Sequence, residues 1–373
     1  MVFSPQSLQR LNSLRCQTGI LSVYLRVDPD LMYVRKHPLT EFNAAVKAMD
    51  HPADEQREKA LRTEVDRVLH FLEESWQPEG RGLVVFSAEP IGLWETMTLR
   101  VPVPNAVHFD PAPHLRILAR LADEYERYAA VVVDKEDAHL YIIHMGEIER
   151  QGEVFDADVP GRHDQGGWAQ ARFQRHTGFH VHEHLKHVLG RLEGYYHARP
   201  FDRLILGGPE EAVTEFRKML PRDLADRFIG TFAASSHFHP AEVLERAAPV
   251  VEARERADEE ALVRRVIEDA GAGGPGVVGA AGTLAAINGE RVQRLLVNDS
   301  LQLSGAECSS CQLLLERQVD ACPACGAPVR ELPDLVERAV QRIYDSNGSV
   351  EIVFGRAAEE LAAHGGIGAR LRF

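Results

Sequence analysis

Four of the five cysteines are spaced as two C-x2-C pairs separated by ten residues: Cys308, Cys311, Cys322 and Cys325. Four thiolates at this spacing bind Zn²⁺ tetrahedrally, and Gly326 directly after the last cysteine suits the tight turn of a zinc knuckle. Because four protein ligands leave no open coordination position, we expect the ion to be structural. The sequence therefore predicts a zinc ribbon over residues 306–328. Cys16 stands alone and is expected to be a small core residue.

A second candidate for chemistry is a glycine-rich loop, Gly161 to Gln170, which contains Gly166 and Gly167. Glycines let the backbone approach a partner closely. The Gln170 amide does not titrate, but it can orient a water molecule and donate to a developing oxyanion. The sequence contains no recognisable Ser-His-Asp or Cys-His arrangement, and residues 1–126 contain no recognisable set of catalytic residues. We therefore predict catalytic roles for Gly166, Gly167 and Gln170 in a site that a partner completes.

The segment after this loop, Ala171 to Arg191, is predicted to be a helix with a basic outer face that includes His184, although Thr177-Gly178 weakens it. Residues 160–199 carry six Arg or Lys against three acids. A local basic site suits contact with RNA phosphates, and the alternative is an ordinary solvated helix face. The predicted RNA contacts are Arg162, His163, Trp168, Arg172, Arg175, His176 and Lys186.

Three features of this region allow two interpretations each. Trp168 either stacks on a base of a tRNA end or folds back on its own domain. Gly207-Gly208, after a predicted strand, either binds phosphate or forms an ordinary strand-to-helix turn. Four histidines share one helical face and either chelate a metal or contact RNA phosphate: His176, His180, His184 and His187.

Length and charge restrict the class of protein. The chain has 373 residues, 56 acidic and 42 basic, for a net charge of −14. This balance argues against a general nucleic-acid coat. No apolar run approaches the roughly 20 residues that cross a bilayer, and the first 15 residues lack the apolar core of a signal peptide. We expect a cytoplasmic protein without a membrane partner, whose cysteines stay reduced.

Alternating strand and helix patterns predict an α/β fold with three layered domains, 1–126, 127–255 and 256–373. In the first domain, strands are expected at 20–27, 82–87 and 93–103, with a helix at 56–74. In the second, strands at 129–133, 139–144 and 201–208 flank the glycine-rich loop. A helix over 242–270 leads to the third domain, which contains the zinc ribbon.

The amino-acid sequences of several segments resemble those of the archaeal and eukaryotic class-one peptide release factors. There a G-G-Q tripeptide precedes a small residue and an arginine–phenylalanine–basic helix, whereas here Gly166-Gly167-Trp168-Ala169-Gln170 precedes Ala171-Arg172-Phe173-Gln174-Arg175. The G-x-x-Q spacing is similar to the Vms/Ankzf-like bacterial branch, whose members are named peptidyl-tRNA hydrolases. The T-L-A-A-I segment from Thr283 and the ending G-G-I-G-A-R-L-R-F resemble the last domain of release factors and Pelota. The stop-codon-reading motifs N-I-K-S and Y-x-C-x-x-x-F are absent.

This resemblance implies a Pelota-like architecture and a zinc ribbon comparable to that of archaeal release factors. It also implies a factor that enters the tRNA site of the large ribosomal subunit and cuts peptidyl-tRNA on stalled ribosomes, with a translational GTPase as a candidate partner. Ester hydrolysis and cleavage near the CCA end of the tRNA are both compatible with it. The rival hypotheses are a non-enzymatic, Balon-type factor that protects idle ribosomes and a plain RNA-binding module.

Overall fold

The computed structural model describes residues 5–27, 37–49, 51–77, 80–155, 168–235 and 237–373, and for residues 5, 6, 37 and 168–178 it describes the backbone alone. Its contacts divide the chain into two compact units. We call residues 1–124 with 258–373 the discontinuous unit, and residues 125–257 the central unit.

The N-terminal part of the discontinuous unit is an antiparallel sheet in the order β3-β2-β1-β4, with helices packed on it. Apolar side chains of the strands, such as Leu21 and Leu83, form a core with Phe42 and Leu61 of the helices. Its elements are α1 (Pro5–Asn12), β1 (Ile20–Arg26), α2 (His37–Ala48), α3 (Glu55–His70), β2 (Gly82–Ala88), β3 (Leu93–Leu99), β4 (Ala106–Asp110) and α4 (Arg116–Glu124).

The central unit is a five-stranded mixed sheet in the order β7-β6-β5-β8-β9. Strands β7, β6 and β5 are antiparallel, while β5, β8 and β9 are parallel. The elements are β5 (Tyr128–Val133), β6 (Asp137–His144), β7 (Glu147–Phe155), α5 (Trp168–Ala198), β8 (Arg203–Gly207), α6 (Glu210–Met219), α7 (Arg222–Ala225), β9 (Phe228–Phe232) and α8 (Pro240–Gly271), whose last residues belong to the discontinuous unit.

Helices cover both faces of this central sheet. On one face, Ala129, Val131 and Val133 of β5 pack with side chains of α5 and α6. On the other, Ala130 and Val132 of the same strand pack with Val243, Ala247 and Val251 of α8. Successive side chains of a strand point to opposite faces, so a wholly apolar β5 can serve both layers.

The C-terminal part of the discontinuous unit has a second mixed sheet, in the order β10-β16-β11-β15, and a small antiparallel sheet, in the order β13-β12-β14. Its elements are β10 (Gly276–Val278), α9 (Ala280–Asn288), β11 (Val292–Asn298), β12 (Gly305–Cys308), β13 (Leu314–Leu315), β14 (Val329–Leu332), α10 (Leu335–Asp345), β15 (Ser349–Val353), α11 (Gly355–Ala362) and β16 (Ile367–Leu371).

Buried polar contacts join the two sequence-distant parts of the discontinuous unit. The Glu337 carboxylate of α10 accepts hydrogen bonds from the backbone N–H groups of Leu115 and Arg116, each at 2.8 Å, where α4 begins. The Asp123 carboxylate of α4 accepts from the N–H of Ile352 at 2.9 Å. A carboxylate at a helix start satisfies N–H groups that have no partner within the helix.

The structure confirms the predicted mixed α/β class with several sheets. The division into three domains stays a prediction, since the contacts group the first and last of them in one unit. Strands β4, β9, β10 and β16 were not predicted, and β3 ends at Leu99 instead of continuing to residue 103. In the part of the chain that the structure describes, none of the helices combines the length and apolarity needed to cross a membrane.

Gly207 and Gly208 connect β8 to α6, and packing accounts for both. A Cβ on Gly208 would lie 2.0 Å from the carbonyl oxygen of Val133, and the residue has φ of +129°. A Cβ on Gly207 would lie 2.7 Å from the Phe232 ring. Two acids, Glu210 and Glu211, occupy the first turn of α6 and disfavour an anion there. These contacts favour the strand-to-helix turn over phosphate binding.

We expect Gly208→Ala to destabilise the central unit by about 1–3 kcal/mol or more. An alanine at this position would have a strained φ, and its Cβ would clash with the backbone of Val133. Gly190→Ala is the matched control: Gly190 lies in α5 with nothing within 4 Å of its would-be Cβ. The control should be neutral or stabilising by up to about 1 kcal/mol. Thermal unfolding of both variants measures the difference, and equal effects would contradict the assigned turn.

Candidate functional site

Much of the predicted catalytic loop lies outside the described residues. This applies to Arg162, His163, Gly166 and Gly167. The backbone of Trp168 and Gln170 is described, and it belongs to α5. The prediction that the loop extends to Gln170 is therefore wrong: once the chain passes Gly167, the Ala, Gln and Arg residues that follow are good helix formers. Gln170 stands in the first turn of the helix.

Helix α5 is longer than predicted, with 31 residues from Trp168 to Ala198. Arg172, Arg175 and His176 lie on it, and only their backbone is described. The second half of the helix is anchored to the sheet by Leu185, Val188 and Leu192, which are fully buried in the core of this face. Their spacing of three and four residues forms one apolar stripe, which fixes the direction of the helix.

Two of the basic residues counted in this region are paired with acids. The ammonium of Lys186 lies 2.7 Å from a carboxylate oxygen of Glu183. The guanidinium of Arg199 lies 3.0 Å from the carboxylate of Glu149. Lys186 is exposed and available to a partner, but its charge is partly balanced on the helix itself.

The expectation that His184 belongs to the outer face is wrong, because this residue is buried, with 1% of its surface exposed. It precedes Val188 and Leu192 by four and eight residues and therefore lies on the same side as the apolar stripe. Among the described residues, the groups whose donor atoms could share a metal ion do not include His180, His184 or His187. Because His184 is buried, it does not share an exposed face with the other three histidines, and the phosphate contacts of His176, His180 and His187 stay a prediction.

The four predicted metal ligands come together at one end of the small sheet. The Sγ atoms of Cys308 and Cys325 lie 3.4 Å apart, and those of Cys311 and Cys322 lie 3.6 Å apart. A tetrahedron with Zn–S bonds of about 2.3 Å has S···S edges of about 3.8 Å. All four donor atoms lie within 4.8 Å of one another, so they could hold a metal ion.

Two tight turns build this cysteine cluster. The N–H groups of Ser310 and Cys311 donate to the Cys308 sulfur at 3.4 Å. In the second turn, the N–H of Gly326 donates to the carbonyl of Cys322 at 2.9 Å, with Gly326 at φ +74°. Burial raises the pKa of the Cys308 thiol, but the hydrogen bonds to its sulfur lower it to about 6. The thiolate is the metal-binding form of cysteine, and the positions of the four sulfur atoms fit a structural zinc ribbon.

The structure also gathers metal-type donors that the sequence analysis did not single out. One set is His108, Asp110 and His114, and another is Asp137, His139 and Glu153. The signal that could have found them is alternation: residues two apart on a strand share a face, as His108 and Asp110 do on β4 and Asp137 and His139 do on β6.

Comparison with known proteins gives matches along nearly the whole chain. Residues 113–252 match the model of bacterial archaeo-eukaryotic release factor family 10. Peptide chain release factor subunit 1 of Methanobrevibacter smithii is 24% identical over 95% of this chain and 93% of its own length. The Thermoplasma acidophilum protein of the same name is 23% identical over 99% and 94%.

The chain is therefore similar to archaeal class-one release factors along nearly its whole length, and its residues 113–252 match a bacterial family related to them. Among solved structures, Archaeoglobus fulgidus Pelota matches with 16% identity over 98% of this chain and 91% of its own, at a TM-score of 0.37. These matches confirm the resemblance to release factors. The narrower assignment to the Vms/Ankzf-like branch stays a prediction.

Replacing Cys322 and Cys325 by serine should remove one equivalent of bound zinc per chain and loosen strands β12–β14, because metal binding and folding are coupled at such sites. Elemental analysis of protein purified without chelator gives the zinc content, and limited proteolysis reports the loosening. Cys16→Ser, which alters a buried cysteine far from the cluster in sequence, is the control. Zinc content that is the same in both variants would contradict a zinc ribbon.

Proposed function

We propose that this protein is a ribosome-associated translation factor that cuts peptidyl-tRNA on stalled ribosomes. The observation that carries the proposal is the match to archaeal peptide chain release factors over 95% of the chain, together with the family-10 match across the central unit. The family relationship supports a role in translation and binding to the ribosome. The large subunit, peptidyl-tRNA and a translational GTPase as partners rest on the resemblance alone.

In this proposal the reacting group is the Gln170 amide, brought close to the ester by the glycines at positions 166 and 167. The amide orients the attacking water or donates to the oxyanion of the tetrahedral intermediate. It cannot remove a proton from water, so the ribosome and the tRNA must supply the remaining groups. Arg172 and Arg175 would bind phosphates and hold the helix in register.

The anchoring of α5 on the sheet supports this proposal, in which one part of the helix is held by its own domain and another part contacts the tRNA. Val181 packs against the same core one turn before Leu185, and Trp168 lies roughly 20 Å from Val181 along the helix axis, at 1.5 Å per residue. The second half of the helix is therefore fixed on the sheet, and in this proposal the first turn presents Gln170 to a partner. The segment 156–167 starts at the end of β7 and finishes at this helix, so both of its ends are attached to the same unit.

A non-enzymatic factor that protects idle ribosomes is the second candidate. The observation that favours it is the position of Gln170, which stands three residues after Gly167 and within the helix rather than immediately after the glycine pair. A glutamine so placed can still make a contact without promoting hydrolysis. The two candidates differ in chemistry and agree on the binding site.

The double change Arg172→Glu with Arg175→Glu should prevent co-sedimentation with large ribosomal subunits and leave the fold intact. Loss of two phosphate contacts should also lower the slope of log affinity against log salt by about 2. The matched control is Lys218→Glu with Arg222→Glu, which makes the same charge change at exposed positions of the central unit. Equal binding by both double variants would mean that the helix face is only solvated.

Gln170→Ala should keep ribosome binding nearly unchanged and slow peptide release by about a hundred- to a thousand-fold, the usual cost of a lost oxyanion contact. The assay is release of labelled peptide from stalled ribosome–nascent-chain complexes, with Gln174→Ala on the same helix as control. A full-length tRNA product on a gel indicates ester hydrolysis, and a shortened one indicates cleavage near the CCA end. Wild-type protein that binds tightly but releases no peptide would replace the enzyme by the protecting factor.

A further inference from the structure

A second set of metal-type donors lies in the N-terminal part of the discontinuous unit, on and after strand β4. One donor atom from each of His108, Asp110 and His114 lies within 4.8 Å of the other two. His108 and Asp110 share one face of the strand because they are two residues apart. The chain then turns through Pro111, Ala112 and Pro113, which returns His114 to the same face.

The backbone of His114 is held in this place by two buried side chains of the adjacent strand. Ser22 is paired with His108 across β1 and β4, and its hydroxyl accepts a hydrogen bond from the His114 N–H at 3.0 Å. The Tyr24 hydroxyl donates to the carbonyl oxygen of His114. Ser22 and Tyr24 are both 0% exposed. The position of His114 is therefore fixed by the core, while His108 is half-buried and Asp110 is exposed at the end of the strand.

The two imidazole rings stack in parallel, with centroids 3.5 Å apart and planes within 1°. His114 is buried, and the carboxylate closest to it, that of Glu337, lies 3.6 Å from its Nε2. The Glu337 carboxylate already accepts hydrogen bonds from two backbone N–H groups and from the Gln341 amide, each at 2.8 Å. Glu337 thus lies beside His114 without a hydrogen bond to it, since 3.6 Å is beyond hydrogen-bond range.

These donors face a cavity of about 1160 Å³ within the discontinuous unit. Its wall includes all three donors and also Arg57, Arg116 and Gln312. Three protein ligands next to open space are typical of metal sites that keep a position for water or another small ligand, whereas closed structural sites use four. The cysteine cluster and the histidine pair therefore represent two different kinds of site.

We propose that His108, Asp110 and His114 bind a divalent transition-metal ion, with the remaining coordination positions facing the cavity. Two imidazole nitrogens and one carboxylate oxygen suit Zn²⁺ and related ions better than Mg²⁺ or Ca²⁺, which prefer oxygen ligands. On binding, the parallel rings turn about their Cβ–Cγ bonds so that one nitrogen of each points at the ion. The site is independent of the ribosomal chemistry proposed above.

The test is the zinc content of the full-length chain after equilibrium dialysis against Zn²⁺. The wild type should bind two equivalents, one at the cysteine cluster and one here. His108→Ala with Asp110→Asn should lose one equivalent, and Asp110→Asn alone should weaken that equivalent by more than about tenfold. The control is His51→Ala, which removes another cavity histidine that pairs with Glu58 at 3.1 Å and should change nothing.

Cobalt substitution assigns the two equivalents. Thiolate ligands give Co²⁺ a sulfur-to-metal charge-transfer band, which should disappear in the Cys322→Ser, Cys325→Ser variant and persist in the His108→Ala, Asp110→Asn variant. Circular dichroism confirms that each variant is folded. A wild type that binds a single equivalent would overturn the proposal, as would a second equivalent that is insensitive to Asp110→Asn or equally sensitive to His51→Ala.

Discussion

The packing of the second half of α5 on the central sheet is the constraint on which the proposed activity depends. Leu185, Val188 and Leu192 are buried against β5, β6 and β8, and each contributes roughly 1.5–3 kcal/mol by leaving water. This stripe fixes the axis of a helix whose first turn contains Gln170. The wholly apolar β5 makes the arrangement possible, since it supplies a core to α5 on one face and to α8 on the other.

The discontinuous unit joins two parts of the chain that are more than a hundred residues apart. Burying the Glu337 carboxylate is costly, and its burial raises the pKa to about 6, but two backbone N–H groups at the start of α4 and the Gln341 amide satisfy it. The same carboxylate lies 3.6 Å from Nε2 of His114, whose backbone is held by Ser22 and Tyr24.

Local patterns in the sequence predicted much of this fold, and their failures have physical causes. The apolar run of β5 and the stripe of α3 were recognisable because their spacing matches the period of a strand or a helix. The start of α5 was misplaced because Gly166 and Gly167 suggested a loop that continued to Gln170, while the residues from Trp168 onward favour helix. His184 was placed outside on its polarity alone, although its spacing from Val188 and Leu192 puts it inside.

The candidate sites were likewise predictable only where their residues lie close together in the sequence. The cysteine cluster was predictable because both C-x2-C turns are local, and the intervening ten residues allow only a short hairpin. The His108, Asp110 and His114 set depends on Ser22 and Tyr24, about 90 residues away, which pin the chain after β4. Long-range contacts of this kind leave no periodic signal in the sequence.

The central claim is that the first turn of α5 brings Gln170 to the ester of peptidyl-tRNA. A cryo-electron microscopy map of the protein on ribosomes that carry peptidyl-tRNA tests it most directly. The account predicts the N-terminal end of α5 in the peptidyl-transferase centre, with the Gln170 amide within hydrogen-bonding distance of the ester or of a water beside it. A map with the protein bound but with Gln170 remote from the tRNA end would contradict the claim.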